Sequence, residues 1–552
     1  MRFKLDFKEN NKPNSDKRFF LFIPLLFGII LTLGVFIGYF IHSRLSGRFS
    51  VNNSSSNSGD KIASILDYIH SNYVDTIDKK NLEEKAITSL LHGLDPHSDY
   101  IPASELQQVN EPMQGNFEGI GVEFNIINDT VTVITPINGG PSEKAGILAG
   151  DKIVLVEKEK VAGVKITNKK IFSLLRGKKG TSVNISIRRG GSKNLQQYKI
   201  VRGEIPLYSV DVSYMVNKNV GYIKISRFAM TTYDEFIKAY QALQRKGMRK
   251  MILDLRGNPG GVLPAAVNIC DEFLSKGYNI VYTEGKASPK RIHKSTSTGG
   301  FERGEIVVLI DEGSASASEI VAGALQDNDR AVIVGRRSFG KGLVQEQIDL
   351  DDGSAIRLTI ARYYTPTGRC IQKPYTDDKE AYYEEEFNRI ENGELFSADS
   401  IKFPDSLKFR TPNGKIVYGG GGIMPDIFVP IDTSGRTSFL RKVLYSGQVN
   451  TFAFTYADQN REKLNKLGSA SKFISDFKVD DALFAQLISH LEKSNIKGDI
   501  SGIKKSEKIL RNQLKALIGR SIFNNEAYFP VLNSEDKTIL KAVEILNQKS
   551  AL

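Results

Sequence analysis

Residues 306–325 read IVVLIDEGSASASEIVAGAL, and the order of elements in this run decides the fold class. Residues 306–310 are a continuous apolar pentapeptide, the pattern of a strand covered on both faces in a parallel sheet. Gly313-Ser314-Ala315-Ser316-Ala317-Ser318-Glu319 then ends the strand and leads into a helical pattern at 320–325. Residues 251–255 (MILDL) repeat the theme. They pass through Asp254-Leu255-Arg256-Gly257-Asn258-Pro259-Gly260-Gly261 into another helical pattern, and 331–334 form a third apolar run. Strands alternating with helices over about 205–375 predict an α/β core.

Three turns in this core carry candidate chemistry. The small residues of 313–319 would leave a serine hydroxyl there within reach of a bulky substrate, although three serines also make a favoured helix N-cap. The glycines at 260 and 261 bring backbone N–H groups close to a ligand, where they could stabilise an oxyanion; a plain strand-to-helix turn has the same composition. The third is Arg336-Arg337-Ser338-Phe339-Gly340-Lys341-Gly342-Leu343-Val344-Gln345. A lysine between two glycines packs closely, burial lowers its pKa, and a neutral lysine can take a proton from a serine hydroxyl. Gly335, Gly340 and Lys341 also fit a phosphate loop, but Gly342 stands where that loop needs Ser or Thr.

Before this core, residues 115–204 read as short strands with glycine punctuation. Thr130-Val131-Thr132-Val133-Ile134 alternates at period two, a helix is predicted near 168–175, and 183–188 form the last strand of the unit. The string resembles a PDZ domain of the circularly arranged bacterial type. That resemblance puts Gly119, Ile120, Gly121 and Val122 on the loop whose backbone N–H groups cradle a peptide carboxylate while the peptide adds as a strand. Residues 61–110 are read as helical from Ile62, Ile65, Leu66, Ile69 and then Leu82, Ala86, Leu90, Leu91, with a break at Leu94-Asp95-Pro96-His97-Ser98. Residues 376–405 are acidic and polar and read as a surface excursion. After 435, Leu483, Phe484, Leu487, Ile488 and Leu491 form one apolar stripe, and Leu510, Leu514, Leu517 and Ile518 another, predicting a helical C-terminal domain.

Phe19 to Ile41 carry no charge. At about 1.5 Å per residue this stretch spans the roughly 30 Å hydrocarbon core. Arg2, Lys4, Lys8, Lys12, Lys17 and Arg18 precede it and only Arg44 and Arg48 follow closely. The expectation is an uncleaved signal anchor at 19–41, with residues 1–18 in the cytoplasm and all after 42 on the periplasmic or extracytoplasmic side. Residues 42–60 are then a Ser/Asn-rich tether.

The charge of +12 is spread without long like-charged runs, which argues against nucleic-acid binding. Cys270 and Cys370 cannot make a disulfide framework; two free thiols are expected, with a single bridge as the alternative. His42, His70, His92, His97, His293 and His490 show no ligand spacing, so no metal site is expected, and His97 is read as structural.

Taken together, SASASE, GALQDN and SFGKGLVQ closely resemble the carboxyl-terminal processing proteases, the tail-specific proteases of peptidase family S41. The likeness runs over about 61–435, with Leu94-Asp95-Pro96-His97-Ser98 and Gly422-Ile423-Met424-Pro425-Asp426 as flanking matches. The resemblance implies Ser316 as nucleophile, Lys341 as general base and Gln345 as the residue orienting the lysine, one turn on if that segment is helical. It implies Ala317 with the Gly260–Gly261 turn as oxyanion hole, and Glu319, Asp327 and Ser338 as supports. The implied fold is α/β and multidomain: a crotonase-like (ClpP/crotonase-type) protease core at 205–435 with an inserted PDZ domain at 115–204. A helical region at 61–114, the transmembrane anchor and a helical C-terminal domain at 436–552 complete it. The expected function is a serine endopeptidase that captures the free C-termini of periplasmic proteins without a cofactor, as a single chain or a homo-oligomer. A catalytically inactive PDZ scaffold is the alternative, and an acyl-CoA enzyme of the crotonase type a more distant one.

Overall fold

The computed structural model describes residues 28, 30–38, 58–189, 192, 194–375 and 379–548. Most of the expected span at 19–41, the basic residues before it and most of the tether lie outside these. Among the described residues no helix is long and apolar enough to cross a membrane. The tether expected to reach residue 60 is shorter, because the helix Ser58–Asn72 begins inside it.

Two compact units divide the chain between Glu83 and Glu84. The first contains the helix Ser58–Asn72, and Asp67 pairs with Lys79 at 2.7 Å. In the second unit the helical reading of 61–110 fails at one place. Asp99–Ile101 is a strand, pairing antiparallel with Ala355–Tyr364, before the helix Ala103–Gln114. A three-residue strand is too short to show a period of two.

Among the described residues, six strands form the core sheet in the order Val210–Met215, Val220–Ile225, Lys250–Asp254, Glu305–Ile310, Val332–Gly335, Ile427–Phe428. The first pair is antiparallel and the rest are parallel. The apolar run at 306–310 has two destinations. Ile306, Val308 and Ile310 join the cluster made with the helices Thr232–Arg245, Leu263–Asp271 and Ala317–Asp327. Val307 and Leu309 face the other way, onto Ile539, Ala542, Ile545 and Leu546 of the last helix, Lys537–Gln548. Helices thus cover both faces, as a continuous apolar strand requires. The helical C-terminal region is therefore not separate from the core, because its final helix supplies one wall. Asp536, just before that helix, accepts from Arg256 Nη1 at 2.8 Å, and Lys250 Nζ donates to the carbonyl of Leu546 at 2.5 Å.

The PDZ unit is a sheet of Val122–Ile127, Thr130–Pro136, Lys152–Val156, Ser182–Arg188 and Gln196–Val201, with the helix Asn168–Leu175 packed on it. The strand at 183–188 does not close it, since Gln196–Val201 follows. Gly203–Pro206 then pairs with Asn116–Gly119 and ties the two ends of the unit together.

The polar segment after 375 is also more than a surface excursion. Its helix Lys379–Glu391 buries Tyr382 and Arg389. Arg389 donates to the carbonyls of Ser338 and Phe339, each at 2.9 Å. A helix rich in glutamate conceals this, because few of its side chains are apolar enough to mark an inward face.

Candidate active site

Ser316 stands at the junction between Glu305–Ile310 and the helix Ala317–Asp327, with φ of 54° and ψ of −112°. A non-glycine residue in that region is strained and is held there by its surroundings. Ala315 N donates to the carbonyl of Asn258, Ser318 Oγ donates to the same carbonyl, and Ser314 Oγ donates to the carbonyl of Leu255. The serine turn is thereby tied to the turn at 254–261. The approach is so close that a Cβ on Gly260 would lie 2.7 Å from Ser316 Cβ and from the carbonyl oxygen of Ala315.

Lys341 enters the same cleft from the loop after Val332–Gly335. Its glycine neighbour is explained by packing: a Cβ on Gly342 would lie 2.8 Å from Gln372 N. Burial lowers the Lys341 pKa, and the nearby charge of Arg357 lowers it further. Lys341 Nζ donates to Gln345 Oε1 at 3.1 Å, and Gln345 Nε2 donates to the carbonyl of His97 at 2.5 Å. The segment holding Gln345 is not helical. It is the strand Leu343–Asp349, and a register shift between Val344 and Gln345 turns the glutamine back toward the lysine. Ser316 and Lys341 line one cleft of about 710 Å³. Among the described residues no hydrogen bond joins Ser316 Oγ to Lys341 Nζ.

Glu319 binds the two loops together. It is fully buried and accepts from Ser316 N (2.8 Å), Lys341 N (2.9 Å), Gly340 N (2.7 Å) and Ser338 Oγ (2.5 Å). Burial pushes its carboxyl up to about 7 against the pull of those four donors. Ser338 Oγ in turn accepts from Ile423 N at 2.6 Å. Asp327 sits at the other end of the serine helix, away from the cleft. There it pairs with the buried Arg369 at 2.7 Å and accepts from Thr367 Oγ1 at 2.6 Å.

The two halves of the glycine turn differ. Gly260 N donates to Asn258 Oδ1 at 2.9 Å, whereas Gly261 N and Ala317 N have no acceptor among the described residues and both residues line the cleft. In the PDZ unit Ile120 is buried, and its carbonyl and that of Gly121 accept from Ser142 N and Ile137 N. The N–H groups of Ile120 and Gly121 have no acceptor among the described residues.

Sequence reading missed several residues here. Tyr363 OH donates to the carbonyls of Ser316 (3.1 Å) and Lys341 (2.6 Å), joining the two loops. Asn258 joins the serine and glycine turns; its place in the glycine-rich turn was its only signal. His97 serves through its carbonyl, while its ring Nε2 lies 3.0 Å from Tyr382 OH. Cys270 and Cys370 are both free.

A hydroxyl on a strained turn, a half-buried amine lining the same cleft and N–H groups of that lining without an acceptor among the described residues can support nucleophilic acyl transfer. Residues 219–380 match peptidase family S41, residues 119–199 match the PDZ domain, and residues 439–524 match a family of unknown function. The chain is 33% identical over 444 residues to the carboxy-terminal processing protease CtpB of Bacillus subtilis, covering 80% of this chain and 87% of that protein. It is 38% identical over 317 residues to a carboxy-terminal-processing protease of Bartonella bacilliformis, covering 56% of this chain and 72% of the other. Among solved structures it is similar to a photosystem II D1 C-terminal processing protease, at 30% identity and a TM-score of 0.33, covering 57% of this chain and 84% of that one.

Proposed function

This chain belongs to the carboxy-terminal processing proteases of peptidase family S41, serine-type hydrolases, and carries a PDZ domain and a helical C-terminal region; on that premise we propose that it cleaves proteins with a Ser316/Lys341 pair. Lys341 takes the hydroxyl proton, and Ser316 attacks the scissile carbonyl to form an acyl-enzyme. The N–H groups of Ala317 and Gly261 hold the oxyanion, and water releases the acid. Gln345 orients the lysine, and Glu319 with Ser338 fixes the backbone of both loops. The PDZ loop at 119–122 captures a substrate C-terminus by its carboxylate. Residues 19–41 anchor the chain in the cytoplasmic membrane, and the crotonase-type core acts on extracytoplasmic proteins.

The observation carrying this reading is Glu319, whose one carboxylate holds the backbone N–H of both Ser316 and Lys341. The serine and lysine loops are therefore set against each other. Proton transfer needs the lysine within hydrogen-bond reach of the serine hydroxyl, a contact that tightens as the reacting complex forms. Ser316→Ala and Lys341→Ala should each abolish hydrolysis of an unfolded protein while circular dichroism stays unchanged; wild-type turnover in either sinks the proposal. The anchor is tested by fractionation: the chain should sediment with membranes and be digested by protease added from outside.

A further inference from the structure

The cleft around Ser316 has a one-sided charge. Arg227, Arg357 and Lys341 line it, and no Asp or Glu does. Arg357 has one partner, donating from Nη2 to Gln347 Oε1 at 3.2 Å. Arg227 has none: its Nε is buried without a hydrogen-bond acceptor, and among the described residues it forms no ion pair. Its charge is felt by Asp211, but that carboxylate accepts from Ser226 Oγ at 2.8 Å and does not reach Arg227. A cleft-lining guanidinium with no acidic partner among the described residues can pair with the carboxylate of an incoming ligand through charge-assisted hydrogen bonds.

The backbone fixes where Arg227 lies. Phe228 N donates to the carbonyl of Gly260 at 2.9 Å, and Val262 N donates to the carbonyl of Phe228 at 2.8 Å. These bonds set the backbone next to Arg227 against the glycine turn, and Arg227 lines the same cleft as Gly261 and Ser316.

We infer that Arg227, with Arg357 adding to the field, binds a carboxylate of the substrate close to the bond that is cut. The carboxylate comes from an acidic side chain or from the chain terminus itself. This rests on the placement of Ser316 in the proposed function and adds a substrate class to it. Leu263, Pro264 and Ile320 give the lining an apolar stretch that suits neighbouring uncharged side chains.

The test is binding to the full-length Ser316→Ala protein, which does not depend on turnover. Two pairs of fluorescent peptides are compared: Glu against Gln with amidated termini, and free against amidated termini with neutral side chains. Ser316→Ala should bind the carboxylate member of at least one pair about tenfold to a hundredfold more tightly, the range for a charge-assisted hydrogen bond. Adding Arg227→Gln should remove that gap, and Arg227→Lys should keep part of it. The PDZ loop also favours a free terminus, so in the second pair only the part lost with Arg227 counts. The pair that responds identifies the source of the carboxylate. No gap in the Glu/Gln pair together with a terminus gap untouched by Arg227→Gln overturns the inference. So does a Glu/Gln gap that persists in Arg227→Gln. Should Arg227→Gln fail to fold, Arg227→Lys decides in its place: a gap undiminished in Arg227→Lys overturns the inference. Hydrolysis persisting in Ser316→Ala would instead sink the proposed function and leave this comparison standing.

Discussion

Glu319 shows how much one buried side chain can determine. Four donors surround a carboxyl that burial pushes up to about 7. An unfolded glutamate titrates near 4.5, so between these values the folded chain holds a proton that the unfolded chain has lost. Stability from this group is full below about 4.5 and is lost as pH rises through about 7. Glu319→Gln should flatten that part of the stability–pH curve, measured by urea unfolding at several pH values. Lys341 adds a kinetic signature. Its pKa is lowered by burial and then by Arg357, so activity should rise with pH as the lysine loses its proton. Arg357→Gln removes a positive neighbour, raises the lysine pKa and should move that limb of the kcat/KM profile to higher pH. An unmoved limb would dissociate Lys341 from the titration.

At the scale of elements, the serine and glycine turns work as one piece. Gly260 has φ of 96°, and any Cβ there would collide with Ser316 Cβ. Gly260→Ala should lower kcat on the order of a hundredfold, since a displacement of about 1 Å is enough, with little loss of secondary structure by circular dichroism. The strand Leu343–Asp349 makes a similar point. A sequence interval of four matches one helical turn, yet a bulge in a strand brings Gln345 to Lys341. The family resemblance identified the partner residue, but the backbone conformation depends on pairing with Ala355–Tyr364, which local sequence does not contain.

The whole molecule depends on its last helix. Ile539, Ala542, Ile545 and Leu546 cover Ile252, Val307, Leu309 and Val334 on the outer face of the core sheet. Leu546→Ala should cost about 2–5 kcal/mol, the usual range for a buried leucine, read from the urea midpoint. Ending the chain before Lys537 should leave the sheet face exposed and the protein aggregated. The same helical region reaches the PDZ unit, where Arg520 Nη2 donates to Glu123 Oε1 at 2.9 Å and Gly150 packs on Asp458. By itself the sequence determined the α/β core, the PDZ unit, the helical end and the loops that carry Ser316 and Lys341, because apolar period, glycine turns and short motifs are local properties. Only the tertiary structure decided that the last helix walls the core, that Arg389 holds the lysine loop, that Glu319 joins the two loops and that Arg227 has no partner among the described residues. Those contacts join residues far apart in the chain, and their energies arise only once folding removes water from between them.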